Sequence, residues 1–553
     1  MKFSIRNSWL AVLLFAGTAA VHGQTIREQV LDPVEHSAGS SMSYRFEPQT
    51  YTPAPEGYVP FYISHFGRHG SRYHTTENIY RKFYDIFAAA AANNALTPFG
   101  MEVKQRVDTI FAVCDGHAGV LTPAGEREHR EIAARMYRNY PEVFQPKGKR
   151  RKMQVFSRST SVGRVIQSMR SFDGALKMCE PELDIREESG GVYNGYLNHY
   201  TKAYKDYYKD GAWRAVYDAK RGSWFSPDRF VESLFCDADY VKRHISSRRS
   251  FMMEFFAVAS ILQDCPLDVS LYDVFTDDEI FALWRLQNLS QYLRKGPSAI
   301  AGELAASIAK PLLRDMLACA EEAVAGGSVV ADLRFGHGEG LMPLAALMRL
   351  EGACGVESDP EKVENVWNDF RITPMAGNIQ LIFYRNAKDR VLVKFLLNER
   401  EVTVPVAGDT APYYDWKAVR KYYYRIAKEQ ADLCDISRYA AGGGCRPPFF
   451  VGSGRCRGSG LRRCAGWWCR AGQRRRAGRC RRSGRGRAGE ERDGWDEARR
   501  MCMAGGPNGG RLGCRGGDGA QRAVRLGPWA EYLRGRTGYE RLLHALRRAE
   551  VSV

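Results

Sequence analysis

Residues 61–76 read FYISHFGRHGSRYHTT. The apolar run Tyr58–Phe66 predicts a buried strand, and Gly67 and Gly70 cut it off, so that Arg68, His69 and Arg72 fall in a loop at its carboxyl end. Open α/β sheets hold their ligands at that end. Guanidinium forks match the paired oxygens of a phosphate, and a neutral imidazole held between them can attack phosphorus. Gly70 removes a side chain that would keep a ligand from the backbone. The cluster suits a phosphate monoester. A bare Arg-His-Gly triplet is more often a surface loop; the preceding strand and the second arginine argue against that here.

The pattern returns in Val329–Leu350, VVADLRFGHGEGLMPLAALMRL. Val329–Phe335 alternates as a strand, a glycine loop carries His337 and Glu339, and Leu341–Leu350 has the periodicity of a helix with Pro343 in its first turn. His337 can bind a phosphate oxygen. Glu339 can protonate a leaving alkoxide and, as a carboxylate, activate a water. A third strand, Met153–Phe156, ends in Ser157-Arg158-Ser159-Thr160 before a helix over Ser161–Phe172. This places Arg158 as a third guanidinium beside a helix amino terminus.

Arg68-His69-Gly70-Ser71-Arg72 resembles the Arg-His-Gly-x-Arg-x-Pro signature of the histidine acid phosphatases, with His74 at the proline position. The opening Leu121-Thr-Pro-Ala-Gly125 and the turn Ser157–Thr160 are similar to that family as well. His337-Gly338-Glu339 resembles the His-Ala-Glu of the multiple inositol polyphosphate phosphatases rather than the His-Asp common elsewhere in the family. The resemblance spans Tyr44–Asp432. It implies an α/β fold, a mostly parallel sheet flanked by helices with an inserted α-helical cap. It also implies hydrolysis of inositol polyphosphates through a phosphohistidine, without metal or cofactor. His69 would be the nucleophile and Glu339 the donor and then the base, while Arg68, Arg72, Arg158 and His337 would hold the phosphoryl group. A broad acid or sugar phosphatase shares these residues, and a phosphoglycerate-mutase-like enzyme shares the first loop.

Around these loops the chain divides into core residues 24–175, a cap over 176–318 rich in Tyr, Trp and Arg, and a second core part over 319–432. Helical patterns cover Arg81–Ala92 and Pro98–Val113. Thr122, Pro123 and Glu126 mark a strong helix start. Gly377–Arg385 and Val391–Glu399 predict a hairpin, and Asp415–Ala431 a closing helix.

Both ends differ from this body. Residues 1–23 run from Lys2 and Arg6 through the apolar Trp9–Ala20 to small residues, the order of a secretory signal peptide; export to a periplasm or the medium is expected, without stable membrane insertion. The net charge of +18 first suggests nucleic acid. From Arg438 onward, however, there are 27 arginines, no lysine and 9 acidic residues, and the remaining 54 basic and 54 acidic residues balance. The tail 433–553 is rich in Arg and Gly and lacks a sustained apolar period, which predicts disorder. A nucleic-acid-binding tail, a basic surface anchor and a translated frame slip all fit it. The frame slip fits the abrupt loss of Lys, Ile, Asn, Phe and Tyr best, so no nucleic-acid partner is expected. Eight of the 14 cysteines lie at or beyond Cys434, and none carries a functional signature. Oligomeric state is not legible.

Overall fold

The computed structural model describes residues 24–145, 153–408 and 410–428. The expected signal segment, the basic run Lys147–Lys152 and the tail 433–553 lie outside the described residues. Among the described residues no helix is long and apolar enough to cross a membrane.

The strands are β1 (Val59–Arg68), β2 (Gln154–Ser159), β3 (Asp184–Ser189), β4 (Val329–Gly336), β5 (Asn378–Arg385), β6 (Val391–Leu397), β7 (Arg400–Glu401) and β8 (Tyr413–Asp415). They form one sheet in the order β3-β2-β4-β1-β5-β6-β7, with β8 also paired to β6. The expected parallel core holds for β3, β2, β4 and β1. Beyond β1 the pairing is antiparallel. For β5 and β6 the reason is local: they are joined by a tight turn in which Asn386 Oδ1 accepts the amides of Lys388 and Arg390, both at 3.0 Å. Such a turn can only reverse the chain.

The helices that matter to the site are α1 (Ile79–Ala92), α2 (Pro98–Cys114), α3 (Pro123–Asn139), α4 (Gly163–Cys179), α5 (Arg248–Ile261), α6 (Asp277–Lys295), α7 (Lys310–Val324), α8 (Gly338–Leu347) and α9 (Trp416–Lys428). One sheet face packs Ile63, Leu333 and Phe335 against Ile132 and Met136 of α3 and Met169 and Phe172 of α4. The other packs Tyr62, Phe66 and Phe383 against Leu312 of α7, Leu344 of α8 and Tyr423 of α9. Covered on both sides, β1 is a continuous apolar run rather than an alternating one.

The helical region is organised differently from a simple insertion over 176–318. That stretch contributes β3, which pairs in register with β2 at the edge of the sheet. In addition, Phe83 and Phe87 of α1 and Val107 of α2 share a core with Phe251 and Phe255 of α5 and Leu283 of α6. The apolar stripes of α1 and α2 need cover, and the later phenylalanines supply it. Parallel register brings Arg68 beside Gly336 and Ser159 beside Phe335, so the loops after β1, β4 and β2 open at one edge.

Candidate active site

The loop after β1 is held by its own amides. Arg68 N–H donates to the Gly377 carbonyl at 2.8 Å and His69 N–H to the Gly336 carbonyl at 3.0 Å. Gly70 N–H donates to Ser168 Oγ at 3.0 Å, and Ser71 N–H to Glu128 Oε2 at 2.8 Å. None of the four is left for an anion, so side chains must bind it. Gly70 therefore serves packing rather than ligand approach. A Cβ there would lie 2.4 Å from the Gly125 carbonyl oxygen, and one on Gly125 would lie 2.2 Å from that of Ser71. The Leu121–Gly125 opening thus seats the start of α3 on the loop, and Thr122 Oγ1 caps that helix by accepting from Gly125 N–H at 3.3 Å.

His69 is 3 % exposed, and its Nδ1 lies 2.9 Å from the Gly70 carbonyl oxygen. A carbonyl only accepts, so Nδ1 carries the proton and Nε2 keeps its lone pair. Burial, then the charges of Arg68, Arg72 and Arg164 and the neighbouring His337, hold this imidazole well below its usual pKa, and it stays neutral. The rings of His69 and His337 stand 5.6 Å apart at 74°. His337 Nε2 lies 3.2 Å from Thr160 Oγ1, which ties the end of β4 to the end of β2. Burial lowers its pKa to about 4, against the pull of Glu339.

Three guanidinium groups surround this pair of rings. Arg68 Nη1 donates to the carbonyls of Ser40 and, at 2.7 Å, Thr373, and Arg72 Nη1 donates to the Tyr73 carbonyl at 3.0 Å. The Nε atoms of Arg68, Arg72 and Arg164 are buried without an acceptor. Burial and the neighbouring Arg72 lower Arg68 to about 10, the response of crowded cations with too little negative charge around them. Orphaned buried donors are rare because each costs about 1–3 kcal/mol. Three of them around one neutral imidazole offer an anion donors that the protein leaves unused.

Arg164, the second residue of α4, is the third guanidinium, in place of Arg158. Arg158 is 3 % exposed; its Nη1 donates to Asp332 Oδ1 at 3.1 Å and its Nε lies 3.6 Å from Glu188. A guanidinium committed to a buried carboxylate is not available to phosphate. The charge of Arg164, in contrast, acts on both His69 and His337.

Glu339 lies in the first turn of α8, its side chain 41 % exposed toward the cleft. Lys295 Nζ donates to its Oε1 at 2.9 Å. The Lys295 charge, opposed by burial and aided by His337 and Arg68, holds the carboxyl well below the usual carboxylate range. Beneath the loop, Glu128 Oε1 accepts from Ser71 Oγ at 2.6 Å, Asp264 Oδ1 lies 3.0 Å from the same oxygen, and Ser43 Oγ lies 2.5 Å from Asp264 Oδ1. These supports come from far along the chain and carry no motif.

Residues 67–194 match the histidine phosphatase superfamily (branch 2), which bears out the resemblance read from the loop. Among solved structures, the multiple inositol polyphosphate phosphatase of Bifidobacterium longum in complex with inositol hexasulfate is 21% identical with a TM-score of 0.60, covering 69% of this chain and 96% of its own. Its apo form gives a TM-score of 0.58 at 21% identity, with the same coverage of each chain. The phytase of D. castellii gives 0.55 at 13% identity, over 76% of this chain and 90% of its own. The fold is shared with these enzymes. No curated protein matches the sequence.

Proposed function

From a histidine phosphatase fold and loop, we propose that this protein is an exported phosphomonoesterase of inositol polyphosphates that works through a covalent phosphohistidine. The observation that carries the reading is the meeting of three unpartnered guanidinium Nε–H groups at a neutral imidazole whose Nδ1 proton is pinned to the Gly70 carbonyl. Arg68, Arg72, Arg164 and His337 hold the phosphoryl oxygens, and His69 Nε2 forms the bond to phosphorus. As that bond forms, Glu339 gives its proton to the leaving alcohol; as a carboxylate it then takes a proton from the water that releases phosphate. No resident metal or cofactor enters the scheme.

The inositol polyphosphate class is supported by the His337-Gly338-Glu339 spacing and by the shared fold with the B. longum enzyme. Export is supported by the character of residues 1–23. The test is phosphate release from inositol hexakisphosphate by the full chain in EDTA, beside His69→Ala. Release that disappears in the variant supports the reading. Turnover of an aryl phosphate without release from the hexakisphosphate would replace it with a broad-specificity phosphatase, and no turnover of either would remove it.

A further inference from the structure

Lys295 ends α6 and is 3 % exposed, and its ammonium faces Glu339 at 2.9 Å. An enclosed ammonium requires an anion, so this contact is built into the free protein. It conflicts with half of the chemistry proposed above. Glu339 must carry a proton when the ester bond breaks, yet Lys295 is the largest influence keeping it ionised. From the loops and α4, His337, Arg68, Arg72 and Arg164 act in the same direction. Tyr200 and Tyr204 also lie near Glu339, and burial pushes both phenols up, so they bring no charge. The free site is therefore set for the second step, in which a carboxylate activates water, and wrongly set for the first.

Two features let a substrate reverse this. An ammonium has three donors on a flexible stem, and Glu339 uses one. Glu339 is 41 % exposed to the cleft, so an anion that reaches it is also within reach of Lys295 Nζ. We propose that Lys295 is a positioning residue that senses a second phosphate on the substrate: the neighbouring phosphate draws the ammonium away from Glu339, and the released carboxyl takes up the proton used in the first step. The inference rests on the phosphatase reading and deepens it. On binding, Glu339 gains a proton from solvent. Its Oε–H bond breaks and the bridging ester oxygen gains the hydrogen as the P–O bond opens and the Nε2–P bond forms. Water then gives a proton to the Glu339 carboxylate while its oxygen bonds to phosphorus and the electron pair of the Nε2–P bond returns to His69. A monophosphate that reaches only His69 and the arginines leaves the ion pair closed, so the device favours polyphosphorylated substrates.

Inositol hexakissulfate, whose sulfate esters stay ionised, serves as the probe. Calorimetric binding to the full-length protein near pH 5, just above the ordinary glutamate pKa of about 4.3, in two buffers of different ionisation heat, reads proton uptake. Wild type is expected to take up protons, and part of that uptake is lost in Glu339→Gln. Lys295→Met should weaken binding by about tenfold or more and reduce the Glu339-dependent uptake, because no ammonium is left for the polyanion to draw away from the carboxylate. Lys295→Arg, which keeps the charge, should retain uptake and decides the matter if Lys295→Met does not fold. In turnover, Lys295→Met should lose about tenfold more kcat/KM on inositol hexakisphosphate than on glycerol 2-phosphate. Equal uptake in wild type and Glu339→Gln, or equal losses on the two esters, would overturn the proposal. Absence of turnover on any ester by wild type would instead remove the phosphatase reading, and the calorimetry would still report whether Lys295 leaves Glu339 for a polyanion.

Discussion

Glu128 holds Ser71 twice, through its amide at 2.8 Å and its hydroxyl at 2.6 Å. The hydroxyl has one proton, and Asp264 lies 3.0 Å from the same oxygen. Two carboxyls cannot both be served by it as anions, so one must bring a proton of its own. Burial, reinforced by Glu128, pushes Asp264 up to about 8 and makes it the protonated partner.

A stability profile follows from that proton. The folded Asp264 keeps it at pH values where the unfolded chain, with a pKa near 3.8, has lost it. Stability therefore falls as pH rises through that window, until about pH 8. Burial gives Asp173 the same direction and the same value of about 8. Buried His65 and His129, lowered to about 3, act oppositely, but only below the unfolded histidine value of 6.5. Between pH 6.5 and 8 these two buried acids both lower stability as pH rises, so Tm should decline there. Asp264→Asn should flatten part of the decline in a melting series.

Arg158 and Arg164 should separate stability from catalysis. Arg164→Ala removes a guanidinium from the proposed phosphate site and should cut kcat/KM by about 10²-fold with little change in Tm. Arg158→Met leaves Asp332 buried without its 3.1 Å guanidinium partner, with the Tyr62 hydroxyl at 2.8 Å and the neighbouring charge of Arg334 remaining. The cost should be about 3 kcal/mol, read as a lower Tm with phosphate turnover largely kept in the folded fraction. The reverse assignment would return Arg158 to the site.

In the proposed mechanism His69 must be neutral to attack. Arg72 is among the cations that keep its pKa low, so Arg72→Ala should let that pKa rise toward 6.5. The acid limb of kcat/KM should then move to higher pH. p-Nitrophenyl phosphate is the substrate to use, since its leaving group needs no proton from Glu339. A limb that stays in place would mean that Arg72 does not set the charge state of the nucleophile.

Two glycines should respond differently to alanine. In Gly70→Ala the new methyl meets backbone, the Gly125 oxygen at 2.4 Å, and the loop must open. The protein should lose about 1–3 kcal/mol and nearly all activity. In Gly338→Ala the neighbours are side chains, Thr373 Oγ1 at 3.2 Å and Arg68 Nε at 3.3 Å. Tm should hold or rise slightly, because alanine favours the start of α8. KM should increase a few-fold as the methyl crowds the free Nε of Arg68. Melting curves and Michaelis plots of both variants check this.

The loops Arg68–Arg72 and His337–Glu339 are legible in sequence because each follows an apolar strand and is bounded by glycine, which fixes both location and chemistry. The β5–β6 hairpin is legible for the same local reason. Arg158 misleads because strand, turn and helix supply two arginines six residues apart, and the choice between them is made by Asp332, 174 positions away. A reading that weighs the first turn of α4, whose amino end faces the loops, would have added Arg164. Glu128, Asp264 and Lys295 have no local mark at all. They matter only because α3, the end of α5 and the end of α6 converge on the site, and that convergence is a property of packing.

The side chain of Arg68 also sets a schedule. It bridges the carbonyls of Ser40 and Thr373, the latter 305 residues downstream. At a synthesis rate of about 5–20 residues per second, roughly 15–60 s pass between the emergence of the two. Until then only the Ser40 half of that bridge can form. If the proposed activity needs that bridge, a growing chain is without it until the segment carrying Thr373 has docked.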